Sequence, residues 1–358
     1  MLRGGGLGDL LFAMPAMQSL AAAYPGAEIT LLGTAGPAAL LEGRPGAPHR
    51  IEVMPAVPGV TASPGAYVDP GAIEEFVTQA RDASYDLAVQ VHGGGRHANP
   101  FLLRLGARHT IGTRTPDATP LERNLDYAYY QHEVLRALEV VGLAGAPPVA
   151  IAPRIALLES ELGAGRAVCG SERPVVVVHP GASDPRRRWP AAQFVEVIRR
   201  LVAEDVRVVL VGGGDDVERC ARIVAEVRHS TTPANAELVT TVAGRLALPA
   251  LAGVLAAADV VLANDSGPRH LAEAVGTRTV AVYWFGNLIN AGPLGRGRHR
   301  VHLSWVTRCP VCGRDCTQVG WTAERCEHDV SFVGDVRPEP VLDDVLTLLD
   351  ASRARLAA

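Results

Sequence analysis

The sequence predicts an α/β protein built on two doubly wound parallel sheets. Short apolar runs of strand length alternate with segments of helical apolar spacing, and this alternation starts again after residue 150. The 358 residues, 48% of them hydrophobic, are enough to fill two cores of ordinary size. We therefore expect two Rossmann-like domains that face a cleft, with residues 1–160 in the first domain, 161–337 in the second and a last helix over 338–358.

The first half begins with a glycine-rich loop that runs directly into helical apolar spacing. Only Met1, Leu2 and Arg3 precede the glycines, so either the first strand is very short or the reading frame begins upstream. Residues 45–70 are dense in Pro and Gly and are expected to form mostly loop. The other predicted elements are strands at 28–33, 51–53, 85–91 and 110–112, and helices at 35–41, 71–83 and 124–138.

The second half repeats this pattern after a segment, 141–153, that has the composition of a linker. A domain boundary is expected between residues 150 and 170. The predicted strands lie at 174–179, 207–214, 238–242 and 258–263, and the predicted helices at 191–203, 217–227, 248–257, from 271 onward and 338–356. The last helix carries Val341, Leu342, Val345, Leu348 and Leu349 on one face.

The overall charge favours a small-molecule partner. The formal net charge is −4 and the pI about 6.3, whereas broad nucleic-acid binding needs a basic face that displaces counterions from phosphates. All 34 basic residues are Arg, so cationic contacts must come from Arg or His. No apolar run approaches the roughly 20 residues that span a bilayer, and no cleavable signal is evident. We expect a monomeric, cytoplasmic protein without a nucleic-acid partner.

Polar residues at two positions of the first half are candidates for chemistry. Asp9 stands at the start of the first helix, where a carboxylate can cap the helix or act as a base, and the sequence leaves both roles open. His92, Arg96 and His97 follow the strand at 85–91. Because ligands of open parallel sheets collect at the carboxyl ends of strands, these three residues are candidate contacts for an acceptor substrate.

Three strand ends in the second half predict a site for a diphosphate. The strand at 174–179 is followed by Ser183 and by three arginines including Arg187, ahead of a helix start. The strand at 258–263 ends in Asp265, Ser266 and Gly267, which open the next helix. Unpaired N–H groups at a helix start and Arg side chains both favour phosphate. At the third strand end, the run 212–216, which includes Gly214, could lie near the ribose or base of a nucleotide.

Three motifs together resemble one known family. They are Gly8-Asp9 followed by Pro15, the run Pro180-Gly181-Ala182-Ser183 with Trp189-Pro190, and Asp265-Ser266-Gly267 with His270 and Gly276. Their order and spacing are similar to those of the bacterial heptosyltransferases of glycosyltransferase family nine. The resemblance implies a GT-B fold whose carboxyl-terminal domain binds a nucleotide-sugar donor, typically ADP-L-glycero-D-manno-heptose. It also implies an acceptor bound by the amino-terminal domain, inversion at the anomeric carbon, no cofactor or catalytic metal, and a last helix that crosses back onto the amino-terminal domain.

The resemblance also implies roles for single residues. Asp9 matches the general base, and Ser183 and Arg187 match diphosphate contacts, although the family commonly has Lys at the second of these positions. Asp265 matches a contact to the donor sugar, while Ser266 and Gly267 match backbone donors to the phosphates. His270 matches a histidine whose role, structural or in direct contact with the donor, stays open.

A cysteine-rich segment in the second half departs from these motifs. Cys309, Cys312, Cys316 and Cys326, with His328 close behind, suit a tetrahedral structural zinc site with the four thiolates as ligands. Free thiols are the alternative, because cysteines also occur in this region of many family members.

The acceptor and two rival functions stay open. Residues 1–150 contain 14 Asp and Glu against 10 Arg, which favours a neutral or cationic acceptor over an anionic lipid core, with Asp69, Glu74 and Glu75 as candidate contacts. An NAD(P)-dependent oxidoreductase is one rival, but the first glycine loop lacks the fingerprint spacing of that class. A nucleotide-sugar-binding protein without turnover is the other.

Overall fold

The computed structural model describes residues 1–46, 48–170, 172–317 and 324–356. It divides into two compact units, Met1–Pro153 and Arg154–Ala358. Among the described residues, no helix combines the length and the apolarity that crossing a membrane would require.

The first unit is a parallel sheet with helices between its strands. Its elements are α1 (Leu7–Ala23), β1 (Thr30–Gly33), α2 (Ala35–Leu41), β2 (Arg50–Val53), α3 (Pro70–Asp82), β3 (Leu87–Gln90), α4 (Ala98–Arg104), β4 (His109–Arg114), β5 (Arg123–Asp126) and α5 (Glu133–Gly142). Strand β1 pairs with β2, and β3 pairs with β4, which pairs with β5, all in parallel.

A very short first strand joins the two halves of this sheet. Leu2 pairs in parallel with Leu32 of β1 on one side and with Gln90 of β3 on the other. Its N–H donates to the Val89 carbonyl at 2.8 Å, and its side chain is fully buried. The sheet order is therefore β2, β1, Leu2, β3, β4, β5, and the residues directly after Leu2 emerge at the carboxyl edge of the sheet.

The helix predicted over 124–138 is wrong in its first half. Residues Arg123–Asp126 form β5, which pairs with β4 in register from Ile111 opposite Arg123. The helix begins only at Glu133, where His132 caps it by accepting a hydrogen bond from the Val134 N–H at 3.2 Å. The hydrogen bonds that β5 makes with β4 favour a strand here, although the apolar spacing of the side chains favours a helix. This is a tertiary effect, which the local sequence pattern does not show.

The second unit is a six-stranded parallel sheet in the order β11-β10-β9-β6-β7-β8. Its strands are β6 (Val175–His179), β7 (Arg207–Leu210), β8 (Val239–Thr241), β9 (Val260–Asn264), β10 (Arg278–Trp284) and β11 (His299–Ser304). Its helices are α6 (Glu159–Cys169), α7 (Ala191–Ala203), α8 (Val217–His229), α9 (Pro233–Ala236), α10 (Leu248–Ala257), α11 (Gly267–Ala274), α12 (Phe285–Ala291) and α13 (Pro338–Leu356). Every residue of β6 and β9 is buried, because helices cover both faces of the sheet.

The packing of the last helix differs from the expectation. The five apolar residues predicted for one face of α13 are all buried in the core of the second unit, with Phe194 and Trp189. The helix packs on α7 and against β9, β10 and β11. Contrary to that expectation, the apolar face of α13 therefore does not cover the first unit. It buries the apolar surface of the sheet beside α7 instead.

Candidate active site

Asp9 lies in the first turn of α1, and both of its carboxylate oxygens are held. Arg3 donates from Nη2 to Oδ1 at 2.6 Å, and the Gly6 N–H donates to Oδ2 at 2.8 Å. The side chain is nevertheless 42% exposed. Asp9 therefore closes the start of the helix and still presents a carboxylate to solvent, so the capping role and the role of a base are compatible.

This arrangement depends on Arg3, a residue that none of the sequence motifs includes. Its side chain is only 5% exposed, and Nη2 also donates to Oε2 of Glu133 at 3.0 Å. Burial lowers the pKa of Arg3, but the negative charges of Asp9 and Glu133 outweigh it and raise the pKa overall. A permanent positive charge thus lies beside Asp9. In the sequence, this charge is indicated only by the position of Arg3 directly before the glycine loop.

The three candidate acceptor contacts separate into different environments. His92 lies near the glycine loop, with its Cε1 within 3.3 Å of the place a Cβ on Gly4 would occupy. Burial and the charge of Arg3 lower the pKa of His92. His97 packs against Gly59 at the start of α4. Arg96 is exposed and lies 3.6 Å from Asp117. Of the three, His92 is the one in the electrostatic surroundings of Asp9.

The turn after β9 carries a buried carboxylate that lies between two basic side chains. Asp265 is 2% exposed. Its Oδ2 accepts a hydrogen bond from Nη1 of Arg187 at 2.9 Å, and its Oδ1 lies 3.2 Å from Nε2 of His270. Burial alone would raise the pKa of Asp265, but the hydrogen bond with His270 and the charge of Arg187 lower it to about 2. The residue is therefore a carboxylate at any physiological pH.

Arg187 links this carboxylate to the loop after β6. Its Nη2 donates to Oγ of the exposed Ser183 at 2.8 Å, and its own side chain is 21% exposed. A short 3-10 turn, Pro185–Arg187, carries it, and Asp184 caps that turn by accepting from the Arg186 N–H at 3.0 Å. The structure therefore brings Ser183, Arg187 and Asp265 together, as the sequence predicted.

Asn264 fixes the two loops to each other, and the sequence did not single it out. The side chain is fully buried at the end of β9. Its amide nitrogen donates to the Pro180 carbonyl at 2.9 Å, and its oxygen accepts from the Trp189 N–H at 3.0 Å. One amide side chain thus satisfies backbone groups at both ends of the loop that carries Arg187.

His179 and Asp216 form a second polar group at the same strand ends. The His179 Nδ1 lies 2.9 Å from Oγ of Ser266, and its Nε2 lies 3.4 Å from Oδ2 of Asp216. The Ser266 hydroxyl donates to the Asn264 carbonyl at 3.1 Å, so it is engaged away from the start of α11. Partial burial would raise the pKa of Asp216, but the hydrogen bond and charge of His179 lower it. His179 was missed because a single polar residue at a strand end has no motif, whereas Asp216 belongs to the run 212–216 that is expected near the ribose or base.

The remaining predicted donor contacts differ in exposure. Gly267 is the first residue of α11, where N–H groups lack intrahelical partners. Gly214 is exposed and begins a 3-10 turn, Gly214–Asp216, beyond β7. His270 is 5% exposed and accepts at Nδ1 from Arg269, and burial together with the charge of Arg269 lowers its pKa. His270 is therefore a neutral imidazole that supports Asp265 from below the surface.

The cysteine-rich segment forms a cluster with a ligand set that differs from the predicted one. Ligand atoms of Cys309, Cys312, Cys326 and His328 all lie within 4.8 Å of one another. Cys316 is not part of this group. It is buried beside Phe332, and its thiol donates to the Arg314 carbonyl at 3.3 Å. His328 thus takes the place predicted for Cys316, because spacing alone does not show which side chains converge.

Comparisons with known proteins agree with the motifs. The family model for glycosyltransferase family 9 (heptosyltransferase) matches residues 74–312. Lipopolysaccharide heptosyltransferase 2 of Salmonella typhimurium is 27% identical over 361 residues, covering 96% of each chain. The solved ADP-heptose LPS heptosyltransferase II of E. coli superposes with a TM-score of 0.75 at 22% identity, covering 98% of this chain and 99% of its own. A family 9 glycosyl transferase from Veillonella parvula reaches 0.76 at 18% identity, covering 98% and 96%.

The match covers well over half of the chain and includes both strand-end loops that meet at Asp265. It favours glycosyl transfer over the oxidoreductase alternative. The solved relatives have the same arrangement of parallel sheets and helices along nearly the whole chain. The chain therefore belongs to glycosyltransferase family 9, the heptosyltransferase family, and is a glycosyltransferase with a fold of the GT-B type.

Proposed function

We propose that the protein transfers a heptose from ADP-heptose to a hydroxyl group of a glycan acceptor, with inversion at the anomeric carbon and without a catalytic metal. The observation that carries this proposal is the set of Arg187, Ser183 and Asp265 at the carboxyl ends of adjacent strands. The relatives from Salmonella typhimurium and E. coli are heptosyltransferases, which supports heptose as the sugar, and the E. coli relative is an ADP-heptose heptosyltransferase, which supports ADP-heptose as the donor.

On the donor side, Arg187 binds the diphosphate. Its guanidinium is partly exposed and is held at Nη1 by Asp265 and at Nη2 by Ser183, so the remaining N–H groups are directed without a further loss of rotamer freedom. Charge-assisted hydrogen bonds of this kind contribute about 1.5–3 kcal/mol each. The Ser183 hydroxyl and the N–H of Gly267 supply further donors, the latter at the positive end of α11. Gly214 lies at the strand end where the nucleoside would extend.

Asp265 holds Arg187 in place. Both of its oxygens face Arg187 or His270, and 2% exposure leaves little surface for a sugar hydroxyl. We therefore assign to Asp265 a positioning role, in place of the direct sugar contact that the resemblance implies. His179, itself held by Asp216, positions the Ser266 side chain in the same way. This contact keeps the backbone of the turn in one conformation.

On the acceptor side, Asp9 is the general base. A single displacement at a sugar carbon requires a group that removes the proton of the attacking hydroxyl while the diphosphate departs on the opposite face. Asp9 is a substantially exposed carboxylate directly after the glycine loop, and Arg3 and Gly6 fix its orientation. General-base catalysis of this kind typically contributes about 10²–10⁴ in rate. His92, and more remotely Arg96 and His97, are candidate contacts to the acceptor.

The acceptor we favour is a lipopolysaccharide-type glycan, because the relative from Salmonella typhimurium is a lipopolysaccharide heptosyltransferase. The acidic residues considered for a cationic acceptor have partners of their own. Asp69 caps α3 by accepting from the Gly71 N–H at 2.8 Å, Glu74 pairs with Arg104 at 2.6 Å, and Glu75 lies 3.3 Å from the Gln79 amide nitrogen. The excess of acidic residues in the first unit keeps a cationic aminocyclitol as the second candidate.

The cysteine-rich segment has no part in the transfer step. Three thiols and an imidazole are the ligand types of structural zinc sites, whose closed coordination leaves no position for a substrate. We therefore assign any metal in that segment to the architecture of the second unit.

The test is a product assay with ADP-heptose, followed by mass spectrometry of the acceptor and by NMR of the new anomeric centre. Core glycan lacking the heptose should gain one heptose, with the anomeric configuration opposite to that of the donor. UDP-glucose as donor and an aminocyclitol as acceptor serve as comparisons. Binding of ADP-heptose without transfer to either acceptor would point to the sugar-binding protein without turnover. Retention of configuration would overturn the single displacement.

A further inference from the structure

The four side chains of the cysteine cluster are almost arranged as a metal site. In a tetrahedral site with Zn–S bonds of about 2.3 Å, neighbouring ligand atoms lie about 3.8 Å apart. The ligand atoms of Cys309, Cys312, Cys326 and His328 lie within 4.8 Å of one another, so a small contraction would bring them to bonding geometry. All three cysteines are free thiols, and Cys309 and Cys326 are buried.

A tight turn presents two of these thiols. The Cys309 N–H donates to the Arg314 carbonyl at 2.8 Å, and the Gly313 N–H donates back to the Cys309 carbonyl at 2.9 Å. Gly313 has φ +71°, a left-handed conformation that favours glycine. The backbone therefore folds around the space between Cys309 and Cys312, as expected of a two-cysteine chelate loop.

The imidazole provides an independent indication of a ligand. The Nδ1 of His328 is buried and has no hydrogen-bond partner within the part of the chain that the structure describes. A buried imidazole nitrogen without a partner is costly unless it binds something, and a zinc ion is a common partner of imidazole. Cys316, by contrast, already uses its thiol as a donor to the Arg314 carbonyl.

The segment that supplies Cys326 and His328 also supports the turn that carries Arg187. The Phe332 N–H donates to the Arg186 carbonyl at 2.7 Å, and the Arg186 guanidinium carbon lies 5.5 Å from the centre of the Phe332 ring. Arg325 lies 4.0 Å from Oδ1 of Asp184, the residue that caps the same turn. The ring of Phe332 belongs to the apolar cluster of Cys309, Cys316 and Cys326.

We propose that Cys309, Cys312, Cys326 and His328 bind one Zn²⁺ ion and that this site holds the turn of Asp184 to Arg187 in its donor-binding conformation. The second half of the proposal rests on the donor role proposed for Arg187. The ion replaces the thiol protons, fixes the segment around Cys326, and through Phe332 and Arg325 restricts the turn that carries the guanidinium.

Metal analysis of four purified proteins tests the site itself. The wild type and Cys316→Ser should each contain about one zinc per chain, whereas Cys312→Ser should contain almost none. Cys312 is the exposed ligand, so its replacement disturbs packing least. His328→Cys should keep the zinc, since four thiolates also suit the ion. Absence of zinc from the wild type, or equal loss from Cys316→Ser and Cys312→Ser, would overturn the ligand set, and iron in its place would overturn the choice of metal.

Calorimetry with ADP tests the coupling to the donor turn. The wild type should bind ADP several-fold more weakly after its zinc is removed by a chelator, and added zinc should restore the affinity. Unchanged affinity after complete removal would overturn the coupling. If zinc is present but ADP fails to bind even the zinc-loaded protein, the donor role proposed for Arg187 fails while the metal site stands.

Discussion

Arg187 donates from Nη1 to Oδ2 of Asp265 at 2.9 Å, and this bond joins the loop after β6 to the turn after β9. The two strands are neighbours in the sheet, so their carboxyl ends lie at one edge. The two side chains differ in burial, since Asp265 is 2% exposed and Arg187 is 21% exposed. A buried carboxylate thus anchors a guanidinium that still reaches solvent, and changes to the two partners should have different effects.

Replacement of Arg187 should weaken donor binding. Arg187→Gln removes the charge-assisted contacts to the diphosphate, and the dissociation constant for ADP should rise about 10- to 100-fold. Arg187→Lys keeps the charge but not the planar fork and should lie between wild type and Arg187→Gln. Titration calorimetry measures both, with Arg199→Gln on the surface of α7 as the control. Equal affinities for Arg187→Gln and the control would remove Arg187 from the donor site.

Asp265 should make the stability of the fold sensitive to acid. Its pKa is lowered from 3.8 to about 2, so its contribution is complete above about pH 4 and is lost as the pH falls toward 2. A shift of this size corresponds to roughly 2 kcal/mol. Urea unfolding should show a larger loss of unfolding free energy for the wild type than for Asp265→Asn over this interval. Equal losses of unfolding free energy in the wild type and Asp265→Asn would contradict the lowered pKa of Asp265.

Asp9→Asn should separate chemistry from donor binding. The amide keeps the size of the side chain but cannot accept the proton of the acceptor hydroxyl, so kcat should fall by about 10²–10⁴. The affinity for ADP should stay near that of the wild type. Steady-state kinetics and calorimetry on the same preparation check this, and turnover close to wild type would exclude Asp9 as the base.

Arg3 should act through Asp9 as a positioning residue. Arg3→Lys keeps a charge but cannot bond Asp9 and Glu133 from one planar group, so kcat should fall about 10- to 100-fold while ADP affinity is unchanged. In an Asp9→Asn background the same change should cost nothing further. A double-mutant cycle on kcat measures this coupling. Additive losses would mean that Arg3 is needed for the fold alone.

Gly181 should tolerate no side chain. A Cβ at this position would lie 2.1 Å from Oδ1 of Asp216, so Gly181→Ala must displace the carboxylate that faces His179. We expect a loss of about 1–3 kcal/mol in unfolding free energy and weaker ADP binding. Gly213→Ala, with no atom within 4 Å of its Cβ, is the matched control. If both variants unfold at the same denaturant concentration, the close approach has no energetic consequence.

The buried strands could be predicted because their signal is local. Val175 to His179 is an unbroken apolar run apart from its last residue, and the structure has β6 over the same residues, all buried. Strand β5 had no such signal, since Arg123, Asn124 and Asp126 are polar and its conformation depends on hydrogen bonds to β4. An edge strand of this kind is defined by its partner, which the local sequence does not contain.

The candidate site could be predicted where residues form motifs. Ser183, Arg187 and Asp265 were expected and lie together. Arg3, His179 and Asn264 were missed, because each is a single polar residue whose role depends on its neighbours in the folded chain. The contact between His179 and Ser266 exists only because β6 and β9 are adjacent in the sheet.

The placement of α13 has a consequence for how such a protein can change over evolutionary time. Because the last helix belongs to the second unit, that unit is one uninterrupted stretch of chain from Arg154 onward, and the polypeptide passes from one unit to the other once. The residues assigned to the donor and those assigned to the acceptor are therefore encoded by two adjoining, non-interleaved lengths of the gene. A single recombination event near the codon for Arg154 can exchange one set and leave the other intact.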